Sequence, residues 1–323
     1  MRLARREFLQ LALGVSAVPV ASCVATAQAY PTRPVSLIVG YPAGTSPDIF
    51  ARLLAHTLSE RLGQPFIVEN RPGAGGNIAA ETIVRAAPNG YSLLLVSATN
   101  AMNTTLYDSL NFNFVRDIAP VASIASIPFV MQVNPAFPAR TVPEFIAYAK
   151  ANPGKINMAS VGNGTAPHVF GEMFKAMAGV DLVHVPYRAN PVSDLLSGHV
   201  QVYFAAVLSS IEYIRAGKLR ALAVTTAARS ELLPDIPALG EFVPDYEASA
   251  WQGVGAPKDT PADIIDRLNK EIDAGLADPK LKARIVELGA VPMRMTPVEF
   301  GKFIADETGK WAKVVKVAGI RAE

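Results

Sequence analysis

Seven residues near the start of the chain, Gly44-Thr45-Ser46-Pro47-Asp48-Ile49-Phe50, return 120 positions later as Gly164-Thr165-Ala166-Pro167-His168-Val169-Phe170. Each copy follows a strand-like apolar run and opens a helix-like one. A loop of this kind, with proline in the first helical turn, leaves backbone N–H groups unpaired at the positive end of the helix dipole. Such an end accepts an anion. Either copy alone reads more simply as an ordinary strand–helix turn with Thr or Ser as its N-cap. Two copies predict one such junction in each of two domains, facing each other as jaws. Gly-Thr-x-Pro is also common punctuation in α/β chains, so the echo is suggestive rather than decisive.

The rest of the pattern fits alternating strands and helices. Val35–Val39, Phe66–Glu69 and Tyr91–Val96 read as strands. Ile49–Leu62 and a segment through Ile78, Ala79, Ile83 and Val84 read as helices, the latter after the turn Arg71-Pro72-Gly73-Ala74-Gly75-Gly76. Ser97–Asn100 reads as a polar strand-end loop. Val121–Val133, interrupted by Pro128, and Trp251–Ala256 read as two crossings between domains. Between them, Lys155–Ser160, Leu182–Val185, Val200–Ala206 and Arg220–Thr225 read as strands, with helices over Val142–Ala151 and Pro167–Ala178. Pro261, Pro279 and Pro297 each open a tail helix: Ala262–Leu276, Pro279–Leu288 and Pro297–Thr308, followed by Trp311–Ala318. Strands separated by helix-length segments predict right-handed βαβ units and mostly parallel sheets. The charged faces of the tail helices read as solvated surface, and Trp251 and Trp311 as core or hinge packing.

Residues 1–29 read as an export signal. Arg2, Arg5 and Arg6 precede the apolar run Leu9–Val20, and Ala27-Gln28-Ala29 is a small-x-small cleavage site. The run is shorter than the ~20 residues a membrane span requires. Arg5-Arg6-Glu7-Phe8-Leu9 partly matches a twin-arginine signal. A competing lipoprotein-like box, Val20-Ala21-Ser22-Cys23, would place a lipid on the sole cysteine. Cleavage after Ala29 takes Lys+Arg from 30 to 27 and Asp+Glu from 28 to 27, leaving a near-neutral chain without cysteine. That balance argues against nucleic-acid partners, and the count excludes disulfides and thiolate metal sites. The expectation is a soluble monomer in the periplasm.

Enzyme signatures are absent: no Gly-x-Ser-x-Gly elbow, no His-Glu-x-x-His, no phosphate-binding P-loop. His56, His168, His184 and His199 lack metal-ligand spacing, and all but His168 read as structural. Asp48 and His168, one per copy, are an acid–base pair only in principle. No nucleophile or cofactor motif accompanies them.

Taken together, Tyr41-Pro42-Ala43-Gly44, Glu69-Asn70-Arg71-Pro72-Gly73-Ala74-Gly75-Gly76, Ser160 with Gly162-Asn163-Gly164-Thr165, Val185-Pro186-Tyr187-Arg188, Gly217–Thr225 and the Trp311–Ile320 tail resemble the extracytoplasmic solute receptors of the tripartite tricarboxylate transporter family, the Bug receptors. The resemblance runs the length of the mature chain. It implies an α/β, two-domain, periplasmic-binding-protein-like flytrap, each domain a mostly parallel sheet flanked by helices. On this chain the domains are expected at 30–128 with 251–323, and at 129–250. The function implied is capture of a small carboxylate in the interdomain cleft, without cofactor or metal, for a membrane permease. A ligand-presenting sensor of a membrane signalling partner is the alternative, and a secreted enzyme a more distant one. The implied ligand contacts are Tyr41, Ala43, Gly44, Thr45 and Asp48; Thr99 and Asn100; Ser160, Asn163, Gly164, Thr165 and His168; and Tyr187 and Ala205. Three departures stand out. Thr45 and Ala189 replace glycines usual in the family, and Phe204-Ala205 replaces a frequent Phe-Asp, which leans the ligand away from amino acids and towards plain or aromatic carboxylates.

Overall fold

The computed structural model describes residues 30–187, 190–317 and 319–320. The export signal with Cys23, together with Arg188 and Ala189, lies outside the described residues. The chain begins with β1 (Val35–Val39), α1 (Ser46–Leu62), β2 (Phe66–Asn70), a 3-10 turn at Ala74–Gly76, α2 (Asn77–Val84), β3 (Ser92–Ser97) and α3 (Ala98–Leu106). β1 lies parallel between β2 and β3. Helices cover both faces of such a sheet, which is why β3 reads as an unbroken apolar run rather than an alternation.

A short helix, α4 (Phe114–Asp117), leads into the long strand β4 (Ile118–Val133). Then come α5 (Val142–Ala151), β5 (Asn157–Ser160), α6 (Ala166–Ala178), β6 (Val183–Pro186), α7 (Val192–Ser197), β7 (Val202–Ala206), α8 (Val207–Arg215) and β8 (Arg220–Val224). The chain returns along β9 (Ser249–Pro257) and ends in α9 (Ala262–Ala277), α10 (Pro279–Glu287), β10 (Val291–Pro292) and α11 (Pro297–Val317). The main strand order is β2-β1-β3-β9-β4-β7-β5-β6, with β8 and β10 also pairing β4.

β4 changes partner part-way. Residues Ile118 to Pro128 pair antiparallel with β9, and Phe129 to Val133 pair antiparallel with β7. Pro128 sits at the changeover, where a residue without an N–H breaks neither ladder. Directions follow. β3 and β4 both run antiparallel to β9, so they run the same way, and β7 with its parallel neighbour β5 runs oppositely. The carboxyl ends of the two parallel sets therefore point at each other. Ser97, the last residue of β3, is in register with Gln252 and through it with Ala125, while Ala206, the last of β7, is in register with Phe129. Four residues of β4 separate these rows, about 13 Å at the usual strand rise.

Two sequence expectations change. Ser97–Asn100 is not a loop: Ser97 caps α3, its amide donating to Asn100 Oδ1 at 2.9 Å. The tail is one helix, α11, rather than two. Its Trp311 and the Trp251 of β9 are buried, and both indoles donate to Glu307 Oε2, at 2.8 and 3.1 Å. Trp311 also stacks on Phe170 of α6, with ring centroids 5.2 Å apart. No helix among the described residues is long and apolar enough to cross a membrane.

Candidate functional site

The two copies of the repeated loop fold alike, bond for bond. Gly44 and Gly164 take φ of +78° and +73°, a left-handed conformation that glycine adopts without a side-chain clash. Thr45 and Thr165 are the N-caps of α1 and α6, at φ −78°, ψ 162° and φ −75°, ψ 159°. Each threonine hydroxyl donates three residues back at 2.7 Å, Thr45 Oγ1 to the Pro42 carbonyl and Thr165 Oγ1 to the Gly162 carbonyl. Ile49 and Val169 are the first amides to turn back into their helices, each 3.0 Å from the carbonyl of its threonine. The amides of Ser46 and Asp48, and of Ala166 and His168, come before that first bond at each helix end, and the prolines between them have none.

Asp48 and His168, the paired candidates, are turned onto their own loops. Gly44 N donates to Asp48 Oδ2 at 2.8 Å, and Gly164 N donates to His168 Nδ1 at 3.0 Å. Asp48 also accepts from Arg52 Nε at 3.0 Å and from Asn70 Nδ2 at 2.8 Å. Burial alone would raise its carboxyl, but Arg52, the Gly44 amide and Asn70 together hold it below the usual range. His168 is 7% exposed and lies flat against His184, ring centroids 3.7 Å apart and planes 8° apart. Burial, then the charges of His184 and Lys175, pushes His168 down to about 3, and burial followed by Lys175 pushes His184 down to about 4. Both rings are neutral at pH 7. Because Nδ1 of His168 accepts, its proton is on Nε2, 4.0 Å from Glu172 Oε1. Engaged this way, Asp48 and His168 position amides; neither is set up as a free acid or base.

The other candidates fall around these loops. Ala43 and Gly44 are exposed on the first, and Asn163 is exposed on the second. Tyr41 Oη lies 2.9 Å from Ser97 Oγ, and burial raises its pKa, so it stays protonated. Thr99 and Asn100 lie in the first turn of α3, which supplies a third helix N-terminus on the same edge. Ser160 is buried at the end of β5, its Oγ 2.7 Å from His184 Nε2 and 3.1 Å from Gly162 N. Tyr187 donates to Asp194 Oδ2 at 2.7 Å. Ala205 is sealed in the core beside Tyr203 and Ala159, paired with Val130 of β4. Reading the sequence missed His184 and Asn70 as braces. His184 looked like a strand-edge histidine, and only the β5–β6 pairing brings it to Ser160. Among the described residues no group of three or more His, Cys, Asp or Glu is arranged to hold a metal ion.

A mixed sheet whose two parallel sets meet carboxyl end to carboxyl end, with paired helix termini at the junction, defines the α/β fold of the periplasmic binding proteins. Residues 50–320 match the family model described as tripartite tricarboxylate transporter family receptor. Protein BugT of Bordetella pertussis is 36% identical over 301 residues, covering 92% of each chain. Among solved structures, R. palustris Rpa4515 with adipate superposes with TM-score 0.82 at 34% identity, over 90% of this chain and 99% of that one. MatC from Rhodopseudomonas palustris with bound malate superposes with TM-score 0.79 at 28% identity, over 88% of this chain and 100% of that one. The chain belongs to the tripartite tricarboxylate transporter receptor family, the Bug receptors.

Proposed function

We propose that this chain is a periplasmic receptor that captures a small organic carboxylate between its two repeated loops and hands it to a tripartite tricarboxylate-type permease. The observation that carries the reading is the matched pair of helix N-termini at opposed strand ends, each with amides ahead of its first helical hydrogen bond. Each terminus carries roughly half a positive charge, so two of them balance about one carboxylate with no need of a Lys or Arg side chain. The relatives bound to adipate and malate support a ligand of this class. In this reading 30–128 with 251–323 form one lobe and 129–250 the other, joined through β4 and β9. It is a binder rather than an enzyme, since Asp48 and His168 are spent on holding their own loops.

Calorimetry and thermal shift against mono-, di-, tricarboxylic and aromatic acids test it. A true ligand at a hundredfold excess over Kd raises stability by about 3 kcal/mol. A flat response across all four acid classes would sink the reading.

A further inference from the structure

The repeat hides one difference between its loops. In the three positions before threonine the first loop has Pro42-Ala43-Gly44 and the second has Gly162-Asn163-Gly164. Proline fixes its own φ, whereas glycine loses more conformational freedom on ordering than any other residue. Gly162 and Gly164 take φ of +123° and +73°, and the second loop is the costlier one to hold in the shape that aims its amides. Within that loop Ser160 Oγ accepts from Gly162 N at 3.1 Å, and His168 accepts from Gly164 N. The first loop has the equivalent bond from Gly44 to Asp48, and the proline besides.

The second loop has a support from outside. A Cβ built on Gly164 would lie 3.3 Å from Leu106 Cδ1, so the leucine packs directly on the glycine. A Cβ on Gly44 would meet nothing among the described residues within 4 Å. Leu106 is the last residue of α3, which starts at the carboxyl end of β3 on the other side of the junction. Its nine residues make a helix of roughly 13 Å, the separation of the two strand-end rows. α3 is anchored on its own side. Ala98, Met102 and Leu106 form one buried face at a spacing of four, and Asn103 Nδ2 donates to the Gly75 carbonyl at 2.9 Å and to Asn77 Oδ1 at 3.0 Å. A firmly seated helix thus ends, in a side chain only 2% exposed, on the looser of the two loops.

Resting on the carboxylate reading above, we propose that Leu106 is a positioning residue. From across the junction it does for the second loop what Pro42 does from within the first, holding Gly164 so that the amides beside it meet the bound acid. Being buried, it acts without touching the ligand. It keeps the binding shape of the loop populated, and apparent affinity falls in proportion when that population falls. The support is one-sided, so removing it disturbs one loop of the pair and leaves the other alone.

Amide exchange followed by NMR tests this in the ligand-free protein, with the first loop as internal control. In Leu106→Ala, or in the milder Leu106→Val should the first not fold, exchange at Gly164 and Thr165 is expected to quicken about tenfold, while Gly44 and Thr45 keep their wild-type rates. Calorimetry on the same variant is expected to show about tenfold weaker binding of whichever mono-, di-, tricarboxylic or aromatic acid the wild type binds. Leu106→Met, which conserves volume, should restore both. Equal quickening in both loops would make the role of Leu106 merely structural and overturn the inference. So would unchanged exchange at the second loop, or unchanged affinity in the truncated variant. If the wild type binds none of the acids, the carboxylate reading falls, and the exchange comparison still decides what Leu106 does.

Discussion

The two loops share a backbone but not a brace. At the first, a buried carboxylate accepts the glycine amide and is itself held by Arg52 four residues on. At the second, a neutral imidazole accepts the equivalent amide, and the residue four on is Glu172. Arg52 and Glu172 are also 120 positions apart, so the repeat has kept its geometry while inverting the sign of its i,i+4 pair. What the loop requires is an acceptor at the third position of the helix; which acceptor is free to vary. The choice sets how each loop responds to pH. One brace is a carboxylate that stays ionised down to acid pH, the other a neutral ring stacked on a second ring.

The largest expected contrast comes from the glycines. Gly44→Val and Gly164→Val each force a β-branched residue into a left-handed conformation at about 1–2 kcal/mol, and each puts a side chain where backbone must approach ligand. Binding to either variant is expected to fall below detection by calorimetry. Stability should separate them: a Cβ at Gly44 meets nothing within 4 Å, whereas one at Gly164 lies 3.3 Å from Leu106 Cδ1. Wild-type affinity in both would break the two-loop model.

Next in size is Asp48→Ala, which strands the Gly44 amide and removes one acceptor each from Arg52 and Asn70. A loss of about 3 kcal/mol is expected in denaturant unfolding, and less for His168→Ala, which frees one amide. The reverse order would show that the stacked histidines, not the carboxylate, are the stronger brace.

Acid should then tell the loops apart. His168 and His184 have folded pKa values of about 3 and about 4, below the ordinary 6.5, so the unfolded chain binds protons first as pH falls. Stability is undiminished above pH 6.5 and is lost as pH drops from there towards the folded values. For His168 alone the loss by pH 5 is about 2 kcal/mol. Asp48 is also depressed, but from 3.8, so its contribution is lost only below that range. Thermal melts at pH 7.5 and 5 should reveal the difference, and the double variant His168→Asp with Glu172→Arg, copying the first loop, should recover much of it. An identical acid profile in that variant would place the sensitivity elsewhere. The smallest effect is Arg52→Ala: the arginine side chain is 53% exposed, and a pair so well solvated is expected to leave the unfolding midpoint almost unchanged in denaturant titration.

The backbone of both loops was legible in the sequence, because the repeat writes the same turn chemistry twice. Glycine, threonine and proline at fixed offsets are local instructions, and the loops obey them. The braces were harder. Asn70 and His184 act through strand pairing and leave no local pattern. α3 was hidden by Ala-Thr-Asn-Ala-Met-Asn-Thr-Thr-Leu, a run rich in weak helix formers. Its helix is held by the Ser97 cap and by burial of Ala98, Met102 and Leu106. α11 looked divided, although its glycines at 301 and 309 sit within an unbroken helix. β4 was visible as a crossing, but nothing local reveals that Pro128 marks the change of partner.

The arrangement around Glu307 bears on how such a receptor can be watched. The chain has two tryptophans, and both indoles meet the same buried carboxylate oxygen, one from the strand that returns between the halves of the sheet and one from the last helix. The second also lies against Phe170, in the helix that opens at the second loop. Intrinsic fluorescence from this protein is therefore not an average over scattered reporters. It is the emission of one node, and a shift in its wavelength on adding an acid reads the seam between the loops directly, without a label.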